Sequence, residues 1–286
     1  MNLNYRAQTS RRFALLGVVV LLACWMPAHA DILISPQRVI LSDKNRQAVI
    51  SLHNPGTTER TYRLEWVERR LTDSGELVVL KEGENPRSIA KMVRFSPRRI
   101  SVPPGQTQTV RLDYRPPAGL APGEYRSHLR IGLEPPAGGG GGTEVMRGEK
   151  DGMSFHIDAL LSFAVPVFVR HGEGSAEARI AAVEPATFQR DGKAEAALKV
   201  TLARSGEFSS YGRLAIYQQL QAGGPVEEIS ETGGVAMYAE VSGQQRVVSL
   251  RPGTTLAPGS WIRVTYEGEG PERGQIFAEK VFRIAN

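Results

Sequence analysis

The chain has 286 residues, with 35 Lys and Arg against 30 Asp and Glu, a formal net charge of +5. Its only cysteine is Cys24, which excludes a disulfide framework and a cysteine metal site. No apolar segment reaches the roughly 20 residues that a transmembrane helix needs, so direct membrane insertion is not expected.

The first 30 residues predict a secretory signal peptide. Three arginines form a positive n-region, an apolar run from Phe13 to Trp25 follows, and Ala28-His29-Ala30 is an A-x-A cleavage site. The mature chain is therefore expected to begin at Asp31. Two alternatives stay open, because Leu21–Cys24 loosely resembles a lipoprotein box and Ser10–Phe13 a twin-arginine signal.

Removal of residues 1–30 lowers the net charge of the chain that remains. The segment contains three arginines and no acid, so 32 basic residues remain against 30 acidic ones, a net charge of +2. Nucleic-acid binding needs a clustered excess of Lys and Arg, so no nucleic-acid partner is expected. The local cluster of Arg94, Arg98 and Arg99 is interpreted as a solvated strand edge.

Strand-forming segments dominate the first half of the chain, and no segment shows helical periodicity. Asn54-Pro55-Gly56 and Pro103-Pro104-Gly105 are turn signals, and Trp66 falls where an immunoglobulin-like sandwich often keeps a core tryptophan. The pattern predicts an all-β sandwich. The predicted strands are Ile32–Leu41, Ala48–His53, Thr61–Arg69, Lys91–Phe95, Thr109–Tyr114, Tyr125–Leu133 and Met153–Val169.

Residues 134–152 separate the last two of these strands. Pro135-Pro136 leads into five consecutive glycines, Gly138 to Gly142, and then into a polar run. This composition predicts a long flexible loop without core-forming capacity. It is not a phosphate-binding loop, because the Gly-Lys-Ser/Thr ending is missing.

The strand after this loop is the most informative segment of the sequence. Its odd-numbered positions are all apolar, which places them on one face of an extended strand about 55 Å long. One small domain can hardly cover that face, so the first half needs another partner, unless the strand simply belongs to the core of its own domain. The nine positions are Met153, Phe155, Ile157, Ala159, Leu161, Phe163, Val165, Val167 and Val169.

The second half repeats the strand pattern. Leu120–Tyr125 matches Leu256–Trp261, each with a Pro-Gly turn before an aromatic residue, as at the corner of an immunoglobulin-like domain where an aromatic pins the turn. We therefore expect a duplicated sandwich with a boundary near His171–Ser175. The predicted strands are Ala178–Val183, Ala196–Ala203, Arg213–Gln218, Val235–Val241, Arg246–Leu250, Trp261–Tyr266 and Ile276–Ile284.

Catalytic motifs are not found. His53, His128, His156 and His171 have no metal-ligand spacing and are interpreted as strand-surface residues, and no G-x-S-x-G elbow is present. We expect no enzyme activity, no catalytic residues, no metal and no cofactor.

Five segments of the chain carry a resemblance to a known family: Ile34–Leu41, Arg94–Pro97, Val102–Gly105, Gln108–Arg111 and Val165–Arg170. Together they resemble the PapD-like periplasmic chaperones of the chaperone–usher pilus pathway. Gly123–Leu129 and the long loop are similar to the archaic, thin-pilus branch. The resemblance implies two immunoglobulin-like domains in an L or boomerang arrangement, residues 31–171 and 172–286.

The resemblance also implies a function. Such chaperones bind pilus or fimbrial subunits in the periplasm by donor-strand complementation, without ATP, and deliver them to an outer-membrane usher. The donor strand would lie within residues 153–169, after the loop of residues 134–152. Its donor residues would be Met153, Phe155, Ile157, Ala159 and Leu161.

One departure concerns the site for the subunit's terminal carboxylate. The family pairs two basic residues there, and Arg38 matches the first, whereas Pro166 stands where the second is expected. Arg38 would then act alone or with another arginine. Arg170 matches the arginine that ties the two domains together.

Two rival functions remain at this point. The chain could be a secreted structural or adhesive protein of two immunoglobulin-like modules, or a hydrolase on a sandwich scaffold, although no polar cluster for the latter is found. An exposed strand also invites pairing, so a self-capping dimer stays open.

Overall fold

The computed structural model describes residues 32–135, 143–150, 153–159 and 161–284. In the described part of the first half every element is a strand. These strands are β1 (Leu33–Ser35), β2 (Val39–Ser42), β3 (Gln47–His53), β4 (Arg60–Val67), β5 (Arg69–Leu71), β6 (Leu77–Val79), β7 (Val93–Ser96), β8 (Arg99–Val102), β9 (Thr107–Tyr114), β10 (Gly123–Leu133), β11 (Thr143–Lys150), β12 (Met153–Ala159) and β13 (Ser162–His171).

Two sheets of the first half form a sandwich. One has the strand order β1-β3-β9-β7 and the other β2-β13-β10-β4-β8. Alternate residues of each strand point inward, and Leu41, Ile50, Leu112, Ile131 and Val167 are fully buried in the core between the sheets. Strands β5 and β6 form a separate two-stranded hairpin.

The first predicted strand, Ile32–Leu41, is divided between the two sheets. β1 pairs antiparallel with β3, whereas β2 pairs parallel with β13. Pro36 lies between them and has no backbone N–H to continue a ladder. The switch brings Arg38 to the start of β2, beside the last predicted strand of this half.

The second half forms another sandwich. Its strands are β14 (Glu177–Arg190), β15 (Lys193–Ser205), β16 (Ser210–Gln219), β17 (Val226–Met237), β18 (Gly243–Ser249), β19 (Trp261–Gly268) and β20 (Ile276–Arg283), with a 3₁₀ turn at Gly270–Glu272. The sheets have the orders β14-β15-β18 and β17-β16-β19-β20. Leu198, Ile216, Val264 and Tyr266 are fully buried between them. The predicted all-β class with two immunoglobulin-like sandwiches is confirmed, while the boomerang shape and the domain limits stay predictions.

The predicted uninterrupted strand Met153–Val169 is wrong in one respect. β12 pairs antiparallel with β11, and β13 starts separately at Ser162. The expected loop of residues 134–152 therefore contains a strand, Thr143–Lys150. A nearby strand can satisfy the backbone groups of β12 at a small loop-closure cost, which explains why it is paired. The five glycines lie outside the described residues.

The repeated Pro-Gly corner is built differently in the two sandwiches. In the first, the Tyr125 hydroxyl donates to the Ala121 carbonyl over 2.8 Å. In the second, Trp261 is 40% exposed, and the Ser260 hydroxyl makes the corresponding bond to the Ala257 carbonyl over 2.6 Å. The expectation that an aromatic residue pins both corners is thus wrong for Trp261.

This difference gives a stability prediction. Tyr125→Phe removes the corner hydrogen bond and should lower the free energy of unfolding by about 1 kcal/mol. Trp261→Phe, at the equivalent repeat position, should change it by less than about 0.5 kcal/mol because the residue is exposed and the corner bond there comes from Ser260. Urea unfolding of both variants measures this, and equal losses would contradict the assignment of the corner bond to Tyr125.

Candidate functional site

The candidate site lies on the outer face of the five-stranded sheet, where this face meets the second sandwich. Odd-numbered residues of β13 fill the first core, so its even-numbered residues face outward. The pairing register then groups charged and aromatic side chains across the sheet. The pairs on this face are Glu124 with Arg170, Arg126 with Phe168, His128 with Pro166, and Ile40 with Phe168.

Arg38 is a buried cation among aromatic rings. The residue is 6% exposed, and its guanidinium carbon lies 3.9 Å from the ring centre of Phe168 and 4.9 Å from that of Tyr211. Burial lowers the pKa of Arg38 below its ordinary value. Among the described residues none accepts a hydrogen bond from its three guanidinium nitrogens. A buried, unpaired guanidinium strongly favours an anion that can accept its N–H groups.

Arg126 is a second buried cation, which the sequence analysis did not identify. Its guanidinium carbon lies 3.7 Å from the ring centre of Tyr238, while Tyr238 and Phe168 form an edge-on pair with centres 5.5 Å apart. Nη2 donates to the Arg69 carbonyl over 2.8 Å and to Oε1 of Glu240 over 2.5 Å. Nε and Nη1 have no acceptor within the described part of the chain. The two arginines thus share one aromatic pair.

The sequence carried only an indirect signal for Arg126. It lies two residues before His128 on the predicted strand Tyr125–Leu133, which places the two side chains on one face. That this face is buried depends on the second sandwich, which strand periodicity does not reveal.

His128 also contributes to this cluster, and its interpretation as a surface residue is wrong. It is 1% exposed, and neither ring nitrogen is hydrogen-bonded to any described residue. Burial, with the charges of Arg126, Arg69 and Arg38, lowers its pKa to about 3, so the imidazole is neutral at neutral pH. His171, by contrast, is half-buried, and its Nδ1 lies 2.8 Å from Oδ1 of Asp43.

The backbone nitrogen of Pro166 faces the edge of β13 that lies away from β10. The Leu133 amide donates to the Leu161 carbonyl over 3.0 Å, so alternate residues of β13, counted from Leu161, form the hydrogen bonds to β10. Odd-numbered residues therefore direct their N–H groups toward β10, and Pro166 costs that ladder no hydrogen bond. β2 covers the other edge only at Val167–Arg170, so residues 162–166 have no strand partner there among the described residues.

The face predicted to donate to a client continues past the core. Val165 and Val167 are buried, whereas Phe163 is 37% and Leu161 43% exposed on the same face. Phe163 was not among the predicted donor residues. Further upstream only the backbone is described, and there the remaining predicted donors occupy alternate positions of β12: Met153, Phe155, Ile157 and Ala159.

Arg170 connects the two sandwiches by charge. Its Nε donates to Oε2 of Glu124 over 3.1 Å, and its Nη2 donates to Oε1 of Glu272 over 2.8 Å and to the Ser209 carbonyl over 2.7 Å. Glu272 in turn accepts the Tyr211 amide over 3.0 Å. The network therefore fixes the position of a ring that stacks on Arg38.

The chemistry of the cluster fits an anion rather than a metal cation, because its polar groups without a partner among the described residues are guanidinium donors of Arg38 and Arg126 and a single imidazole, His128. In the described ranges no group of three or more His, Cys, Asp or Glu side chains is placed to hold a metal ion. Nor do the described residues form a helix that is long and apolar enough to cross a membrane.

Comparison with known proteins gives matches at the level of structure. No protein-family model and no curated protein matches the chain. The CsuC–CsuE chaperone–tip adhesion subunit complex of the archaic Csu pili of Acinetobacter baumannii is 12% identical, covering 90% of this chain and 99% of the matched chain, with a TM-score of 0.43. The Pseudomonas aeruginosa CupB2 chaperone is 11% identical, covering 89% and 100%, with a TM-score of 0.43.

The E. coli chaperone DraB also matches, at 11% identity, with 90% of this chain and 97% of the other covered and a TM-score of 0.44. All three solved structures are named as chaperones or as a chaperone complex.

The buried imidazole gives a pH prediction. Because the pKa of His128 falls from 6.5 to about 3 on folding, only the unfolded state takes up this proton as the pH drops below about 6.5. As the pH falls from about 6 to about 4, protonation of His128 in the unfolded state should lower the free energy of unfolding by about 1.4 kcal/mol per pH unit.

Urea unfolding at several pH values measures this slope. His128→Phe, which cannot titrate, should show a slope lower by about 1.4 kcal/mol per pH unit, whereas Val247→Ala, at an exposed position without a titratable group, should keep the slope of the unmodified protein. Identical slopes for His128→Phe and the unmodified protein would contradict the buried, neutral imidazole.

Proposed function

We propose that the protein is a periplasmic chaperone that binds pilus subunits by lending them a strand and by holding their terminal carboxylate. The observation that carries this proposal is on β13. Its apolar face continues beyond the core, and so does an edge that has no strand partner among the described residues. This edge ends beside the buried Arg38, for which no described residue accepts a hydrogen bond.

The edge of β13 is suited to β-augmentation. An incomplete subunit could pair its backbone with residues 162–166 and cover the exposed Leu161 and Phe163. Burial of each large apolar side chain contributes about 1.5–3 kcal/mol before the ordering cost is subtracted. In the proposal β12 extends this donor surface, which requires it to leave β11.

The same geometry gives the direction of the client strand. β2 runs parallel to β13 and begins with Val39 opposite Val167. A client strand on the free edge with the same direction as β2 would end at the start of β2. Its terminal carboxylate would then approach Arg38, the residue before Val39.

Arg126 supplies the second cation in this proposal. The proline at position 166 contributes no charge, but its neighbour across the ladder, His128, is only two residues from Arg126 on β10. A carboxylate that reaches Arg38 would find the free Nε and Nη1 of Arg126 on the same aromatic pair. Charge-assisted bonds to two guanidinium groups would offset the cost of burying the anion.

Location and further partners belong to the same proposal. The signal peptide of residues 1–30 and the cleavage after Ala30 lie outside the described residues, and the periplasmic location rests on the sequence there. Delivery to an outer-membrane usher follows from the family resemblance. No catalytic step is part of the mechanism, because the free energy comes from strand exchange.

The donor strand can be tested by charge insertion. Ile157→Asp combined with Leu161→Asp should abolish co-purification of a pilus subunit and the assembly of pili, since charged groups cannot fill an apolar groove. Leu220→Asp combined with Val247→Asp, at exposed apolar positions of the second sandwich, is the matched control and should leave both unchanged. Normal pili in the first variant, or a chain found on the cell surface without subunits, would overturn the proposal.

The carboxylate site can be tested with a peptide. We take the last ten residues of the co-purified subunit, once with a free carboxylate and once as the amide. The unmodified protein should bind the acid at least tenfold more tightly, and Arg38→Ala should remove this preference. Arg99→Ala, at an exposed arginine, should keep it. An equal affinity for acid and amide in the unmodified protein would refute the anchor.

A further inference from the structure

We propose that Glu240 of the second sandwich is an internal competitor for the client carboxylate at Arg126. The inference rests on the proposed function and concerns the regulation of the same site. In the free protein Glu240 occupies Nη2 of Arg126, the nitrogen that a two-bond contact with the guanidinium requires, so a client has to displace Glu240 to bind Arg126 through two hydrogen bonds.

The contacts of Glu240 match those of a bound carboxylate. Its Oε1 accepts from Nη2 of Arg126 over 2.5 Å and from the Leu71 amide over 2.9 Å. The Glu240 side chain is 29% exposed, whereas the Arg126 side chain is 9% exposed. The carboxylate thus reaches the buried cation from the solvent side, as an incoming ligand would.

The occupation is incomplete, which distinguishes it from a closed structural ion pair. Arg126 keeps Nε and Nη1 free, and Arg38 on the same rings has no hydrogen-bond acceptor among the described residues. The other two carboxylates near this face, Glu124 and Glu272, are already held by Arg170. Glu240 is therefore the acidic group of this cluster that can exchange with an incoming carboxylate.

The turn that contains Glu240 also contains Tyr238, whose ring lies against the Arg126 guanidinium. Tyr238 and Glu240 lie in the turn between β17 and β18, and the Val241 amide donates to the Tyr238 carbonyl over 3.1 Å. Tyr238 and Val241 pack with Leu71 and Phe168 in a cluster between the sandwiches. A shift of this one turn would move Glu240 and the ring on Arg126 together, while Phe168 and Tyr211 stay on Arg38.

The competition lowers the affinity of the protein for its client. When a client carboxylate replaces Glu240, Arg126 exchanges one anion for another, so the displacement of Glu240 only reduces the net affinity for the client. Glu240→Gln removes the competing charge and keeps an oxygen that can accept the Leu71 amide. We expect this variant to bind the acid form of the subunit peptide about five- to tenfold more tightly, with unchanged affinity for the amide.

The test compares dissociation constants for the two forms of the decapeptide. Glu184→Gln removes a charge of the same sign from an exposed ion pair with Lys199 and should leave both constants unchanged. Arg126→Gln combined with Glu240→Gln should lose the gain, because the target of competition is absent. Should Glu240→Gln not fold, Glu240→Asp shortens the reach of the carboxylate and is expected to shift the acid affinity in the same direction.

Two results would overturn the inference, and they are distinguishable. If the unmodified protein prefers the acid and Arg38→Ala removes this preference, but Glu240→Gln binds the acid equally or less well, the anchor stands and Glu240 is only structural. If the unmodified protein shows no preference for the acid, the carboxylate anchor and the competitor both fall.

Discussion

Two arginine side chains are buried on a single pair of aromatic rings, and of the two only Arg126 has an ion-pair partner among the described residues, Glu240. Removal of a guanidinium from water costs several kcal/mol unless hydrogen bonds and charge compensate it. The rings of Phe168 and Tyr238 provide part of that compensation for Arg38 and Arg126. Because the rings come from different sandwiches, the cations are stabilised only while the sandwiches stay together, which the ion pairs of Arg170 promote.

Strand β13 takes part in several packing and pairing interactions because its two faces and its two edges have different neighbours. Its odd-numbered residues fill the first core, and its even-numbered residues meet the second sandwich. One edge is paired throughout with β10, while the other is shared between β2 and an unpaired stretch. Pro166 fits this division, since a residue without an N–H is tolerated where no ladder needs its donor.

Much of this architecture could be predicted from the sequence, because period-two alternation and turn residues are local signals. They indicated two sandwiches and an apolar face longer than its core, to which exposed Leu161 and Phe163 belong. The pairing of β12 with β11 could not be predicted, since pairing choices depend on competing partners rather than on one strand's pattern. The burial of His128 and Arg126 was equally hidden, because it is imposed by residues more than a hundred positions away, such as Tyr238 and Glu240.

The split of the first strand at Pro36 limits where a client strand could pair in the proposed function. Because β2 fills the edge of β13 from Val167 onward, a client strand in line with β2 could not continue past that residue. In that proposal the start of β2 sets the position of the client's last residue, and Arg38, which has no hydrogen-bond acceptor among the described residues, favours a carboxylate there. The site would then select for the position of a chain end, so clients that differ in their terminal side chains could bind in the same way.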